Sequence, residues 1–94
     1  MKEIFEQFKD EMFRKFSERL NKEGNTATPW KDFNIEILED RLSEEIREFQ
    51  DCFLNYYYAS NEKETEEAKR AMLEELVDVA NHCLFLWVKL REEV

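Results

Sequence analysis

The sequence predicts an all-α protein: three long amphipathic helices, packed antiparallel and completed into a four-helix-type bundle by oligomerisation. Apolar residues recur at spacings of three and four along most of the chain, which is the period of a buried helix face. Helix-favouring Glu, Leu and Lys are abundant, whereas the β-branched residues are sparse. A single glycine and a single proline leave little material for turns, so we expect few and long elements.

The 94 residues are predicted to form one domain, 1–94, with helices at about 2–21, 30–58 and 62–91. The apolar stripe expected to face inward on the first helix is Phe5, Phe8, Met12, Phe16 and Leu20. On the second helix it is Ile35, Leu38, Leu42, Ile46, Phe49, Phe53 and Tyr56. On the third helix it is Met72, Leu76, Val79, Ala80, Cys83, Trp87 and Leu90. Further apolar residues lie on other faces, which indicates that these helices also pack against a second copy of the chain.

Cap signals support the predicted helix boundaries. Gly24 is expected to end the first helix in a left-handed conformation, and Thr28 followed by Pro29 is typical of an N-cap and first helical residue. Asn61 with Glu64 resembles a capping box at the start of the third helix. The joint before Asn61 is short, so the second and third helices should be antiparallel neighbours.

The charge balance excludes several classes of function. A formal net charge of -9 repels nucleic acid backbones, so no DNA or RNA duplex is expected as a partner. No apolar run approaches the roughly 20 residues that span a bilayer, and the charged N-terminal segment is unlike a signal peptide. Cys52 and Cys83 lack CxxC spacing, so we expect buried free thiols in a reducing cytoplasm.

Two acid pairs lie beside the predicted apolar stripes. Glu45 and Glu48 are three residues apart on the second helix, as are Glu75 and Asp78 on the third. Such spacing is common in so acidic a chain, but both pairs occupy the same flank of their stripes. In antiparallel helices that pack face to face, equal flanks lie on the same side, so the four carboxylates can converge. Hard oxygen ligands in this number suit Mg²⁺, with Mn²⁺ as an alternative.

These residues also resemble a known family. Residues 44–48, EEIRE, match the EExxE element of the MazG-like all-α nucleoside triphosphate pyrophosphohydrolases, and residues 75–78, ELVD, match their ExxD element. The elements occur in the family's order, with 26 residues between Glu48 and Glu75. The resemblance covers about 35–90. It implies hydrolysis of a nucleoside triphosphate, or its deoxy form, to the monophosphate and pyrophosphate.

The resemblance assigns a role to each acid of the two elements. It implies that Glu45, Glu48, Glu75 and Asp78 are the metal ligands. Glu44 and Glu45 are the candidate catalytic residues, and one of the glutamates on the second helix would activate water. Glu44 points further outward, so it either assists a second metal ion or is solvated.

Four further residues are candidates for substrate binding, each with a structural alternative. His82 contacts phosphate or sugar, or is a partly exposed histidine. Asn81 faces the nucleotide, or hydrogen-bonds to a neighbouring helix. Trp30 stacks on the base, or anchors the linker. Lys89 holds phosphate, or compensates the helix dipole.

Three hypotheses for function follow. The first is the metal-dependent pyrophosphohydrolase, active as a homodimer or homotetramer whose substrate pocket is shared between subunits. The second is a non-catalytic helical dimerisation or interaction module, in which the acid pairs are solvated flanks. The third is a degenerate relative that binds nucleotides without turning them over.

Overall fold

The computed structural model describes residues 1–22 and 29–93, with the backbone alone at 19–22 and 29–30. Its elements are α1 (Lys2–Lys22), α2 (Pro29–Asp32), α3 (Ile35–Tyr57) and α4 (Glu62–Glu92). Within these ranges there is no β-strand, so the predicted all-α class is confirmed. Gly24 and Thr28, the predicted caps of the first linker, lie outside the described residues.

The predicted second helix is interrupted after its first turn. Asn34 adopts an extended conformation with φ -78° and ψ 172°, and its side-chain oxygen accepts a hydrogen bond from the Ile37 amide at 2.9 Å. This cap satisfies an amide that has no partner within the helix, so a new helix begins at Ile35. The prediction of one continuous helix over 30–58 was therefore wrong at this point. The Arg41 guanidinium lies over the Phe33 ring at 4.5 Å from its centroid.

The joint between α3 and α4 is short and closely capped. The Glu64 amide donates to the Asn61 side-chain oxygen at 2.8 Å, and the Glu64 carboxylate accepts from the Ser60 amide at 3.2 Å. The predicted capping signal at Asn61 and Glu64 is therefore confirmed. Because so few residues separate the two helices, α4 runs back along α3 in the antiparallel direction.

Helix α4 is the centre of the fold and contacts each of the other three helices. The apolar side chains buried among the described residues are few: Leu38, Ala68, Val77 and Phe85. Two polar side chains are buried with them, Asn81 and His82. Phe16 of α1 meets Phe85 with ring centroids 5.9 Å apart, so the inner surface of α1 packs on this side of α4.

The inward stripe predicted for α4 was in large part wrong. Leu76, Trp87 and Leu90 are 43%, 55% and 45% exposed, and Cys83 is also exposed. Apolar side chains surround much of this helix, so periodicity alone does not determine which side is covered. On α1 the prediction holds better at Met12 and Phe16 than at Phe5, which is 70% exposed.

Polar contacts also hold α1 against α4. The Asn81 side-chain amide donates to the Met12 carbonyl at 3.1 Å, and Arg14 pairs with Glu74 at 3.2 Å. Among the residues described, none of the helices has the length and apolar character needed to cross a bilayer.

Candidate metal centre

Three carboxylates meet where α3 faces α4. Glu45 and Glu48 come from α3 and Glu75 from α4, and one oxygen of each lies within 4.8 Å of the other two. The first two are three residues apart, so they lie on one face of their helix. The antiparallel packing of α4 then brings Glu75 to the same place. The structure thus unites three of the four acids that the sequence singled out.

The carboxylates of this group, which we call the acid trio (Glu45, Glu48 and Glu75), are electrostatically unfavourable without a cation. Burial and then the neighbouring carboxylates raise the pKa of Glu45 to about 7. The pKa of Glu75 is raised for the same reasons. Oε2 of Glu45 and Oε2 of Glu75 are buried and have no hydrogen-bond partner among the residues that the structure describes. Three carboxylates this close together, of which Glu48 is exposed and the other two are half-buried, offer the hard oxygen ligands that suit Mg²⁺ or Mn²⁺.

Asp78, the fourth predicted ligand, is directed to a different partner. Its Oδ2 lies 2.8 Å from Nζ of Lys15, and the two side chains are only 19% and 18% exposed. Asp78 nevertheless remains close to the acid trio, because its charge contributes to the raised pKa of both Glu45 and Glu75. It therefore borders the trio without sharing its common centre.

Lys15 is the site residue that the sequence analysis missed. Its ammonium also lies 3.1 Å from Oε2 of Glu74 and donates to the Glu74 carbonyl at 3.2 Å. Burial lowers the pKa of Lys15, but the hydrogen bonds to Asp78 and Glu74 outweigh burial and leave it raised. The sequence offered one indication of its position, because Lys15 precedes Phe16, which was predicted to face inward. Periodicity does not show which residues of α4 it would contact.

The other candidates on α3 and α4 have different surroundings. Glu44 is exposed. His82 is only 4% exposed, and its Nδ1 lies 2.8 Å from the Asp78 carbonyl, so Nδ1 carries the proton of this hydrogen bond. The His82 ring packs on Phe85 with centroids 5.4 Å apart. Asn81, 6% exposed, makes the hydrogen bond to α1 that was its structural alternative. The alternative expectation of a partly exposed His82 was therefore wrong. The substrate roles of His82 and Asn81 stay predictions.

Lys89 and Trp30 belong to the other end of the molecule. Lys89 donates to the Lys31 carbonyl at 3.3 Å and so ties α4 to α2. About 16 Å of helix rise separates Lys89 from Asp78, which places its ammonium away from the acid trio. The backbone of Trp30 lies in α2, whereas its side chain lies outside the described residues.

Comparison with known proteins gives a family relationship. A protein of Archaeoglobus fulgidus, described as uncharacterized, is 42% identical over 87 residues, which are 93% of this chain and 82% of that protein. The chain belongs to the family of this archaeal protein. No family model matches the chain, and no solved structure matches it significantly. The description of this relative names no activity, so the acid trio is the main evidence on function.

Proposed function

We propose that the protein is a Mg²⁺-dependent nucleoside triphosphate pyrophosphohydrolase. The observation that carries the proposal is the acid trio, in which three carboxylate oxygens from two helices lie within 4.8 Å of one another. The trio contains three of the five acids through which the sequence resembles the EExxE and ExxD elements of the MazG-like enzymes. Mg²⁺ is the proposed cofactor, with Mn²⁺ as a substitute. When bound, the metal neutralises the triphosphate and favours ionisation of a bound water.

The proposed reaction cleaves the bond between the α- and β-phosphates. Water adds to the α-phosphorus and loses a proton to a base, and pyrophosphate leaves as the nucleoside monophosphate forms. Glu45 and Glu44 are the candidate bases of α3. Glu45 is the better placed, because it lies inside the acid trio, whereas Glu44 is exposed. Glu45, Glu48 and Glu75 would hold the metal, together with Asp78.

Assembly into a homodimer or homotetramer is part of the proposal. Large apolar side chains are exposed on α1 and α4, among them Phe5, Phe13 and Trp87 at 70%, 70% and 55%. A second copy would cover them and add helices to the bundle. The substrate pocket would then be shared between subunits, with His82, Asn81, Trp30 and Lys89 as candidate contacts. The free thiols of Cys52 and Cys83 suit a reducing cytoplasm.

Turnover of a nucleotide panel tests the activity. With Mg²⁺, we expect wild-type protein to release pyrophosphate and the nucleoside monophosphate from a ribo- or deoxyribonucleoside triphosphate. The substitutions Glu48→Gln and Glu75→Gln should each lower kcat/KM at least about 100-fold, because each removes a charged ligand. Asp40→Asn, at an exposed position of α3, is the matched control and should keep wild-type activity. Release of orthophosphate with the diphosphate would contradict the proposal.

The exposed apolar surface favours a second candidate, a non-catalytic dimerisation or interaction module. The two functions differ in their response to divalent cations. If the acid trio holds a metal ion, Mg²⁺ or Mn²⁺ should raise the melting temperature by mass action, and Glu75→Gln should abolish the rise. An interaction module with merely solvated acids should melt at the same temperature with either ion and without it.

A further inference from the structure

Lys15 makes the shortest ion pair between α1 and α4 among the described residues. It is half-buried and reaches the border of the acid trio, whereas Lys9 pairs with Glu6 of its own helix at 67% side-chain exposure. The Lys15 ammonium lies 2.8 Å from the Asp78 carboxylate. Its charge also acts on Glu75, whose pKa it lowers against the larger opposing effects of burial and the nearby carboxylates. The cluster therefore contains a positive charge supplied by another helix.

A divalent cation at the acid trio and the Lys15 ammonium would repel each other, so binding both has an electrostatic cost. If Asp78 turns to a metal ion at the acid trio, Lys15 loses its shortest charged contact. If Lys15 remains, the metal ion has only the three carboxylates of the trio and is repelled by the nearby positive charge. The cost is appreciable because both side chains are largely shielded from water.

We propose that Lys15 is the built-in counterion of the metal centre and competes with the divalent cation for Asp78. This inference rests on the proposed metal site and adds a residue that sets its affinity. Lys15 is a positioning residue in this role, since it acts through Asp78. It belongs to α1, so the competition links metal binding to the docking of that helix.

Metal binding and the docking of α1 on α4 affect each other. Lys15, Arg14 and the Met12 carbonyl are the α1 groups that make polar contacts with α4 in the described part of the chain. Loss of the Lys15 contact upon metal binding would leave α1 more weakly held. By linkage, the factor by which metal binding weakens the docking of α1 equals the factor by which docked α1 weakens metal binding.

Titration with Mn²⁺, followed by the electron paramagnetic resonance signal of the free ion, measures the affinity without reference to turnover. We expect Lys15→Met, which keeps an apolar side chain of similar length, to bind Mn²⁺ roughly tenfold more tightly than wild type. Lys15→Arg keeps the charge and should restore an affinity close to wild type. Lys9→Met removes the same charge from an exposed position on α1 and is the matched control, with unchanged affinity. If Lys15→Met loses its helical circular dichroism, Lys15→Gln takes its place with the same expectation.

Each outcome distinguishes the two proposals. Wild type and Lys15→Met that bind Mn²⁺ equally well would overturn the role of Lys15 and leave the metal site standing. Weaker binding by Lys15→Met would also overturn it and make Lys15 a support of the site. No binding by any of the proteins would overturn the metal site and the counterion together.

Discussion

Glu45 shows how burial and charge repulsion in the acid trio act on a single residue. Its side chain is half-buried on α3, and Glu48, Asp78 and Glu75 all add negative charge around it. In a protein without a ligand, this arrangement opposes folding, because the carboxylate is less stable there than in the unfolded chain. Groups that destabilise the ligand-free protein in this way are typical of sites of binding or catalysis.

The raised pKa of Glu45 predicts the pH dependence of stability. The folded protein holds this proton up to about pH 7, whereas a carboxyl of ordinary pKa 4.5 has already released it in the unfolded chain. The folded state therefore binds more protons between these values, so the free energy of unfolding should fall as the pH rises from about 4.5 to 7. The loss should amount to about 1–3 kcal/mol for this partly exposed group.

Urea unfolding in the presence of a chelator checks this prediction. Glu45→Gln has no proton to release, so its stability should change less between pH 5 and 7 than that of wild type. The raised pKa of Glu75 acts in the same direction and remains in the variant. Parallel pH profiles for the two proteins would show that Glu45 titrates normally.

The sequence correctly predicted which residues lie close together when they belong to one helix or to two helices joined by a short turn. Glu45, Glu48 and Glu75 could be placed together from helical spacing and one short joint. Lys15 could not, since its partner Asp78 is 63 residues away on a helix reached through a linker. Spacing carries no information about the register in which α1 meets α4.

At the scale of elements, the cap that begins α4 was predicted, whereas the cap at Asn34 was missed. The motif at Asn61 and Glu64 correctly marked the start of α4. The stripe of α4 was misjudged because apolar side chains occur around the helix, and the buried set includes the polar Asn81 and His82. Their burial becomes understandable only with the Met12 and Asp78 carbonyls in place as hydrogen-bond acceptors.

The cap at Asn61 should have a measurable effect on stability. Asn61→Ala removes the side-chain oxygen that accepts from the Glu64 amide at 2.8 Å, so it should cost about 1 kcal/mol of folding free energy. Chemical unfolding followed by circular dichroism measures the change. Lys63→Ala, at an exposed position in the same helical turn, is the control and should differ from wild type by less than about 0.5 kcal/mol. Equal stability of Asn61→Ala and Lys63→Ala would refute the contribution of the cap.

At the scale of the whole molecule, the chain covers little of its own apolar surface. An open groove between α1 and α4 is bordered on one side by Met12, Phe13 and Phe16 and on the other by Leu84, Phe85 and Val88. A further groove lies on the other side of α1, between Phe8 and Leu73. One helix with an apolar groove on each side is what a bundle lacking further helices would present.

Association through this surface can be tested at Phe13, which is 70% exposed. Light scattering at micromolar concentration should give a mass above that of the 11.5 kDa chain. Phe13→Asp places a charge in the groove and should weaken association at least about thirtyfold, as expected for loss of an aromatic anchor. Gln50→Asp adds the same charge at an exposed polar position of α3 and should leave the mass unchanged. A folded wild-type monomer at these concentrations would rule out the oligomer.

The closeness in sequence of α3 and α4 also bears on the order in which the protein folds. The contact between Glu45 and Glu75 closes a loop about half as long as the 63-residue separation of Lys15 and Asp78. Forming the α3–α4 hairpin therefore costs less conformational entropy than docking α1. The hairpin contacts are therefore expected in the folding transition state, and the α1 contacts after it. During folding, a divalent cation could therefore bind the carboxylates of the acid trio and Asp78 before Lys15 packs against them. The rate of metal binding during folding would then differ from what the affinity of the folded protein suggests.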